Sequence, residues 1–184
     1  MKEHAIPDSV RIIDLAQDFR WKPKEVVSTP TPTSDAHDFV YGLPEINREA
    51  IRHARHIANP GCFATCIQLA LLPAAAMHLL DSDVAVNAIT GATGAGVKPG
   101  PTKHFAWRDN NMSVYKVFTH QHLTEIRQSI EQVDGSFDAK IDFIPYRGDF
   151  PRGIFATAVV HTDADEAAII DGYRNFYRDA AFTH

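Results

Sequence analysis

The chain reads as α+β, with a short α/β piece at its start, then a mixed and largely antiparallel sheet with helices packed on one face. Two observations predict this. Strand-like and helix-like segments share the chain about equally, and the later strand segments follow one another without a helix between each pair. The 184 residues, 45% hydrophobic and 22% charged, have an ordinary globular composition with room for one domain or a domain and a half.

The elements follow in order. Val10 to Leu15 is rich in β-branched residues and reads as a short strand. The Thr/Pro/Ser-dense stretch Val27 to Ser34 reads as a loop, because each proline removes a donor and biases its predecessor away from helix. From Pro44 the apolar residues Ile46, Ala50, Ile51 and Ala54 recur at helical spacing. His56 to Ala58 is a candidate strand ending at the breaker Asn59-Pro60-Gly61. Phe63 to Leu80 reads as a buried helix that Pro73 bends or interrupts. Val84 to Thr90 is a strand running into a glycine-rich loop, and Val114 to Phe118 another strand. His122 to Val133 is an amphipathic helix, Ala139 to Ile144 and Ile154 to His161 are strands, and Glu166 to Tyr177 is a helix with Thr162 and Asp163 as plausible caps.

Charge and cysteine usage narrow the function. A net charge of -5 with scattered basic residues argues against nucleic acid or an anionic membrane as partner. The longest apolar stretch, Cys66 to Met77, contains Gln68 and Pro73 and is too short to span a bilayer. With no signal-peptide pattern, the cytoplasm is the expected location. Cys62 and Cys66 are too few for a disulfide framework and lack the further ligands of a structural zinc site, so no metal is expected.

Four places could carry chemistry. Cys62 follows Asn59-Pro60-Gly61 at the start of a helix, where unpaired N–H groups and the macrodipole favour thiolate and offer donors to an oxyanion. The competing reading is a small buried hydrophobe; Cys66, one turn on, reads as core. His120 and His122 flank Gln121 at a strand–helix junction, either as acid–base groups or as surface histidines capping the helix. The loop Gly91-Ala-Thr-Gly94-Ala95-Gly96 has the order G-x-x-G-x-G and is not followed by a helix, so it fails as a dinucleotide fingerprint. It is either a place where bare backbone approaches a ligand or a plain turn. Arg147 and Arg152 flank Gly148-Asp-Phe-Pro and either fork an anion or are solvated.

The segment Ile57-Ala-Asn-Pro-Gly-Cys-Phe-Ala-Thr-Cys-Ile-Gln-Leu-Ala-Leu-Leu-Pro73 closely resembles the active-site signature of the N-acetyl-gamma-glutamyl-phosphate reductases of arginine biosynthesis. Phe39-Val-Tyr-Gly-Leu-Pro-Glu45, Thr90 to Gly96, Thr119-His-Gln-His122 and Pro151-Arg-Gly-Ile-Phe-Ala-Thr157 resemble further landmarks of that family in the same order, so the resemblance covers most of the chain. It implies a glyceraldehyde-3-phosphate dehydrogenase-like catalytic domain, in which Cys62 attacks the acyl phosphate, phosphate leaves, and NADPH reduces the thioester to the semialdehyde. It makes His120 the acid–base histidine. It places His122, Tyr115, Arg152 and Asn59 at the substrate, and Gly91, Gly94, Ala95 and Gly96 beside the nicotinamide. It also implies a homo-oligomer.

The chain departs from the family at Cys66, where Gly or Ala is usual, and at Thr124, where proline is often found; the latter puts the helix start in question. The family's opening strand and glycine-rich turn are not in this sequence. The expectation is therefore a fragment: residues 1–62 as the tail of a dinucleotide-binding domain, and 63–184 as a catalytic and oligomerisation domain short of its end. Its main NADP(H) site would lie in the preceding segment, leaving the piece inactive by itself. Two alternatives stay open: a cysteine hydrolase using Cys62 and His120, and a non-catalytic oligomerisation module in which Cys62 is core.

Overall fold

A computed structural model of the chain describes residues 9–21 and 39–184. The loop expected over Val27 to Ser34 lies outside the described residues. The chain forms two compact units, one ending at Pro60 and one beginning at Gly61.

In the first unit, β1 (Ile12–Asp14), β2 (Phe39–Tyr41) and β3 (His56–Ala58) form a parallel sheet in the order β1-β3-β2. Helix α1 (Pro44–His53) links β2 to β3, with Pro44 in its first turn, where the missing N–H costs nothing. This is a small α/β crossover, as expected for the chain's start. Strand β1 is shorter than the Val10 to Leu15 run because β3 pairs with only three of its residues.

The second unit holds a four-stranded mixed sheet in the order β5-β6-β4-β7, from β4 (Val84–Thr90), β5 (Ser113–Val114), β6 (Ile141–Arg147) and β7 (Ile154–Val159). Strands β4 and β6 run parallel, while β7 on β4 and β5 on β6 are antiparallel. Helices α2 (Cys62–Ala76), α4 (His122–Val133) and α5 (Glu166–Phe176) complete the layer. Val84, Val86 and Ala88 of β4 and Phe143 of β6 are buried on the helix side with Phe63, Ile67, Leu71, Leu72, Ile126 and Ile130. The expected α+β arrangement, with helices on one face, is the one observed.

Alternation then puts Ile89, Tyr146, Val114 and Phe155 on the other face, and the strand register lines them up in one row across the sheet. Phe155 is 65% exposed and Val114 51%.

Helix α2 passes through Pro73 rather than breaking there. Proline deprives the carbonyl four residues earlier of its donor, and that carbonyl, of Leu69, accepts instead from the Tyr177 hydroxyl at 2.6 Å. Tyr173 donates likewise to the Ala70 carbonyl at 2.7 Å. Tyr177 thus supplies the donor that Pro73 lacks, and Tyr173 adds a second tie on the neighbouring carbonyl. The helix nevertheless ends at Ala76 rather than Leu80, and the chain turns at His78, whose φ is 55°.

Two further expectations need correcting. The strand predicted over Val114 to Phe118 ends at Val114, because Lys116 and Phe118 take left-handed φ values of 46° and 57° and curl the chain toward His120. Helix α5 is capped by Asp165, whose carboxylate accepts from Ala168 N–H at 3.2 Å, rather than by Thr162 or Asp163. Helix α4 starts at His122 with Thr124 inside its first turn, so the absence of proline there does not disturb it.

Candidate active site

The C-terminal ends of the parallel pair β4 and β6 lie side by side, with Thr90 opposite Arg147. Such strand ends are where crevices form in open sheets. A cleft of about 290 Å³ opens there, and its wall includes Cys62, His120, His122, Tyr115, Arg147 and the backbone of Gly91.

Cys62 is the first residue of α2 and is exposed. Gly61 caps the helix without a side chain, and the four N–H groups of that end have distinct fates. That of Gly61 goes to Glu125 Oε2 at 2.9 Å, and that of Ala64 to His122 Nδ1 at 3.3 Å. Those of Cys62 and Phe63 take no partner among the described residues and remain available at the mouth of the thiol. Gly61 is required here: a Cβ would lie 2.3 Å from His122 Nε2. Cys66 is half-buried behind Cys62, and burial, then the charge of Cys62, raises its pKa.

His120 and His122 are both buried, with ring centroids 4.6 Å apart at an interplanar angle of 76°. They do not sit on an extended segment; Gln121 is in the right-handed helical region and begins the turn into α4. Burial pushes the His120 pKa down to about 4, helped by the neighbouring His122 and Lys116, so the ring is neutral at pH 7. The backbone N–H of His122 donates to His120 Nδ1 at 3.3 Å. A neutral ring accepting there carries its proton on Nε2.

The glycine loop lines the cleft through Gly91, Gly94 and Ala95, with Ala92–Ala95 a single 3₁₀ turn. A Cβ at Gly91 would lie 2.8 Å from Arg152 N, so β-carbon-free backbone is needed for the loop to pack on that segment. Gly96, at φ 69°, ends the turn away from the wall. Arg152 meets the loop through its backbone, while its side chain is exposed and Arg147 lines the cleft instead. Asn59 belongs to the first unit, where its amide donates to Pro60 O at 3.1 Å.

Several residues at the site have no sequence motif to announce them. Glu125 is fully buried; its spacing of three from His122 on a helix is the signal that puts the two on one face. Lys103, Arg108 and Lys116 join Arg147 in the wall, making four cations with no carboxylate among the lining residues. Only the fold brings them together.

Residues 62–184 match the family model described as the semialdehyde dehydrogenase, dimerisation domain. The chain belongs to that family. Over 184 residues it is 58% identical to the N-acetyl-gamma-glutamyl-phosphate reductase of Bacteroides fragilis (strain ATCC 25285) and 57% to those of Phocaeicola vulgatus and Bacteroides thetaiotaomicron. Each alignment takes in 100% of this chain and 54% of the relative, so the chain spans about half the length of the curated relatives it matches. Among solved structures, aspartate semialdehyde dehydrogenase II from Vibrio cholerae superposes with a TM-score of 0.58 at 17% identity, over 87% of this chain and 51% of that one. That likeness concerns fold alone, and it agrees with the glyceraldehyde-3-phosphate dehydrogenase-like domain expected from sequence.

Proposed function

We propose that this chain carries the acylation machinery of a cytoplasmic reductase in arginine biosynthesis. The overall reaction is NADPH-dependent reduction of N-acetyl-glutamyl 5-phosphate to N-acetyl-glutamate 5-semialdehyde, with release of phosphate. One observation carries the reading: Cys62, exposed at the first residue of α2, shares a cation-rich cleft with a neutral His120. The names of relatives alignable along the whole chain supply the substrate.

The helix N-terminus favours the Cys62 thiolate. Its sulfur attacks the acyl carbon, a C–S bond forms, and the C–O bond to phosphate breaks with the electron pair leaving on phosphate. Negative charge develops on the carbonyl oxygen, for which the N–H groups of Cys62 and Phe63, without a partner among the described residues, are available donors. His120 donates its Nε2–H to that oxygen, and His122, held by Ala64 N–H, orients the turn. A nicotinamide cofactor, when bound, supplies the hydride that reduces the thioester and frees the thiolate.

The residues present fit one end of that cofactor. Gly91, Gly94 and Ala95 offer backbone that a flat ring can approach. A cleft of about 290 Å³ is at the lower limit for small-molecule sites. The loop also leads into no long helix whose N-terminus could seat a pyrophosphate. The main NADP(H) site is therefore assigned to a dinucleotide-binding domain of which residues 1–62 are the tail, with 63–184 as the catalytic part.

The row Val114, Tyr146, Ile89 and Phe155 is the surface assigned to a second copy of the chain. It lies on the sheet face away from the helices, with Val114 and Phe155 exposed and Ile89 and Tyr146 half-buried between them, in a family described by its dimerisation.

The test is thiol reactivity together with phosphate release. Peptide mapping after iodoacetamide at neutral pH should find Cys62 alkylated before Cys66, whose pKa is raised. Labelling in the reverse order sinks the nucleophile assignment. Given acyl phosphate without NADPH, the intact protein should release about one phosphate per site and hold the acyl group on Cys62. Sustained turnover without nicotinamide would identify a cysteine hydrolase instead.

A further inference from the structure

The mechanism above uses none of the cations of the cleft. Arg108 ends α3 (Phe105–Arg108), a short helix pinned to the β6–β7 connection by Asn110 N–H donating to Asp149 Oδ2 at 2.7 Å. The Arg108 Nη2 donates to the Gly148 carbonyl, one residue beyond Arg147. Its Nε is buried with no acceptor among the described residues. The Arg147 Cζ stands over the Tyr115 ring, 3.8 Å from its centroid, and the guanidinium has no hydrogen-bond or ion-pair partner among the described residues. Stacking occupies a guanidinium's face and leaves its edge of donors free.

We propose that Arg108 and Arg147, beside Tyr115, form the seat for the substrate's carboxylate and so determine which acyl phosphates the site accepts. This rests on the acyl-phosphate reading of the cleft. Such a substrate brings two anionic groups, the phosphate on the reacting carbonyl and a carboxylate some carbons away. Lys116 is the cation that weighs most on His120, and its Nζ holds Gln121 Oε1 at 2.7 Å beside the histidines, which puts it at the reacting end. Arg108 and Arg147 line the same wall on either side of Gly148, whose carbonyl fixes Arg108, and the edge of the Arg147 guanidinium keeps uncommitted donors in the planar geometry that matches a carboxylate. The lining holds no acidic side chain to compete for them.

The reverse reaction separates the two anions, because semialdehyde and phosphate are then independent substrates. In the intact protein, Arg108→Ala should raise the KM for semialdehyde about 10- to 100-fold, the scale of a lost charge-assisted hydrogen bond, and leave the KM for phosphate unchanged. Arg108→Lys, which keeps the charge and loses the fork, should show a smaller rise in the same KM, and it carries the test if the alanine variant does not fold. A rise in the phosphate KM instead, or no change in either, overturns the assignment. A second readout needs no turnover: N-acetyl-glutamate should slow iodoacetamide labelling of Cys62 in the wild type and not in Arg108→Ala. Equal protection in both also overturns it. Absence of any reductase activity in the wild type would instead count against the acyl-phosphate reading, and the protection experiment then decides the carboxylate seat by itself.

Discussion

Glu125 accepts the backbone N–H of Gly61 at 2.9 Å across 64 positions of sequence, tying helix α4 to the residue that caps α2. Its other carboxylate oxygen lies 3.9 Å from His122 Nε2. One buried carboxylate thus holds the turn that presents Cys62 and stands next to the histidine beside it. Glu125→Ala should leave a buried N–H unpaired at a cost of about 1–3 kcal/mol. In the intact protein it should lower kcat more than it raises KM, with Glu125→Gln recovering part of the stability. A wild-type kcat and pH profile in the alanine variant would show that the carboxylate does no positioning.

Gly61→Ala tests the same junction by crowding. The new methyl would overlap the buried His122 ring, 2.3 Å from its Nε2, so the ring or the turn must shift. The expected outcome is slower alkylation of Cys62 and loss of most activity, measured alongside the denaturation midpoint. Unchanged alkylation would mean that the turn tolerates the shift.

His120 should make the fold sensitive to acid. Its pKa is about 4 in the folded chain and near 6.5 when unfolded, so between these values the unfolded state binds more protons. Stability therefore falls as pH drops through 6.5 and levels off below about 4, with roughly 2 kcal/mol lost from this group by pH 5. Urea denaturation at pH 7.5 and pH 5 should show a smaller acid loss for His120→Asn than for the wild type. Equal losses would remove His120 from the account.

Tyr177→Phe probes the proline in α2. The hydroxyl is the donor to the Leu69 carbonyl that Pro73 leaves unserved. Its removal should cost about 1–3 kcal/mol, and Pro73→Ala in the same background should restore part of that by returning an N–H to the ladder. Thermal or urea melts of the four variants form a double-mutant cycle, and a coupling near zero would contradict the repair.

Phe155→Asp addresses the exposed sheet row. Placing a charge between Ile89 and a second copy should convert a dimer into monomers by light scattering, while the far-ultraviolet circular dichroism stays unchanged. An intact dimer would move the interface elsewhere.

Legibility from sequence followed the range of the interactions. The helices at Pro44, Cys62, His122 and Glu166 and the strands at Val84, Ile141 and Ile154 were readable because periodicity and breakers are local signals. The error at Val114 to Phe118 came from two non-glycine residues in left-handed backbone, which β-branched and aromatic composition does not announce. Asp165 won the cap of α5 over Thr162 and Asp163 through a difference of a few residues, below what propensity resolves.

For the site, the sequence by itself determined Cys62 at a helix start, a histidine pair at the next helix start and a glycine loop after a strand. All three are local, and their family order joined them. The tertiary structure decided the rest. It put the two histidines within 4.6 Å of each other and buried Glu125 beneath Gly61. It left Arg152 outside while drawing Arg108, Lys103 and Lys116 into the wall. The physical reason is that a side chain's electrostatic surroundings depend on which strand ends and helix ends meet. Here that meeting is set by the parallel pairing of β4 with β6, whose partners lie 57 positions apart in sequence.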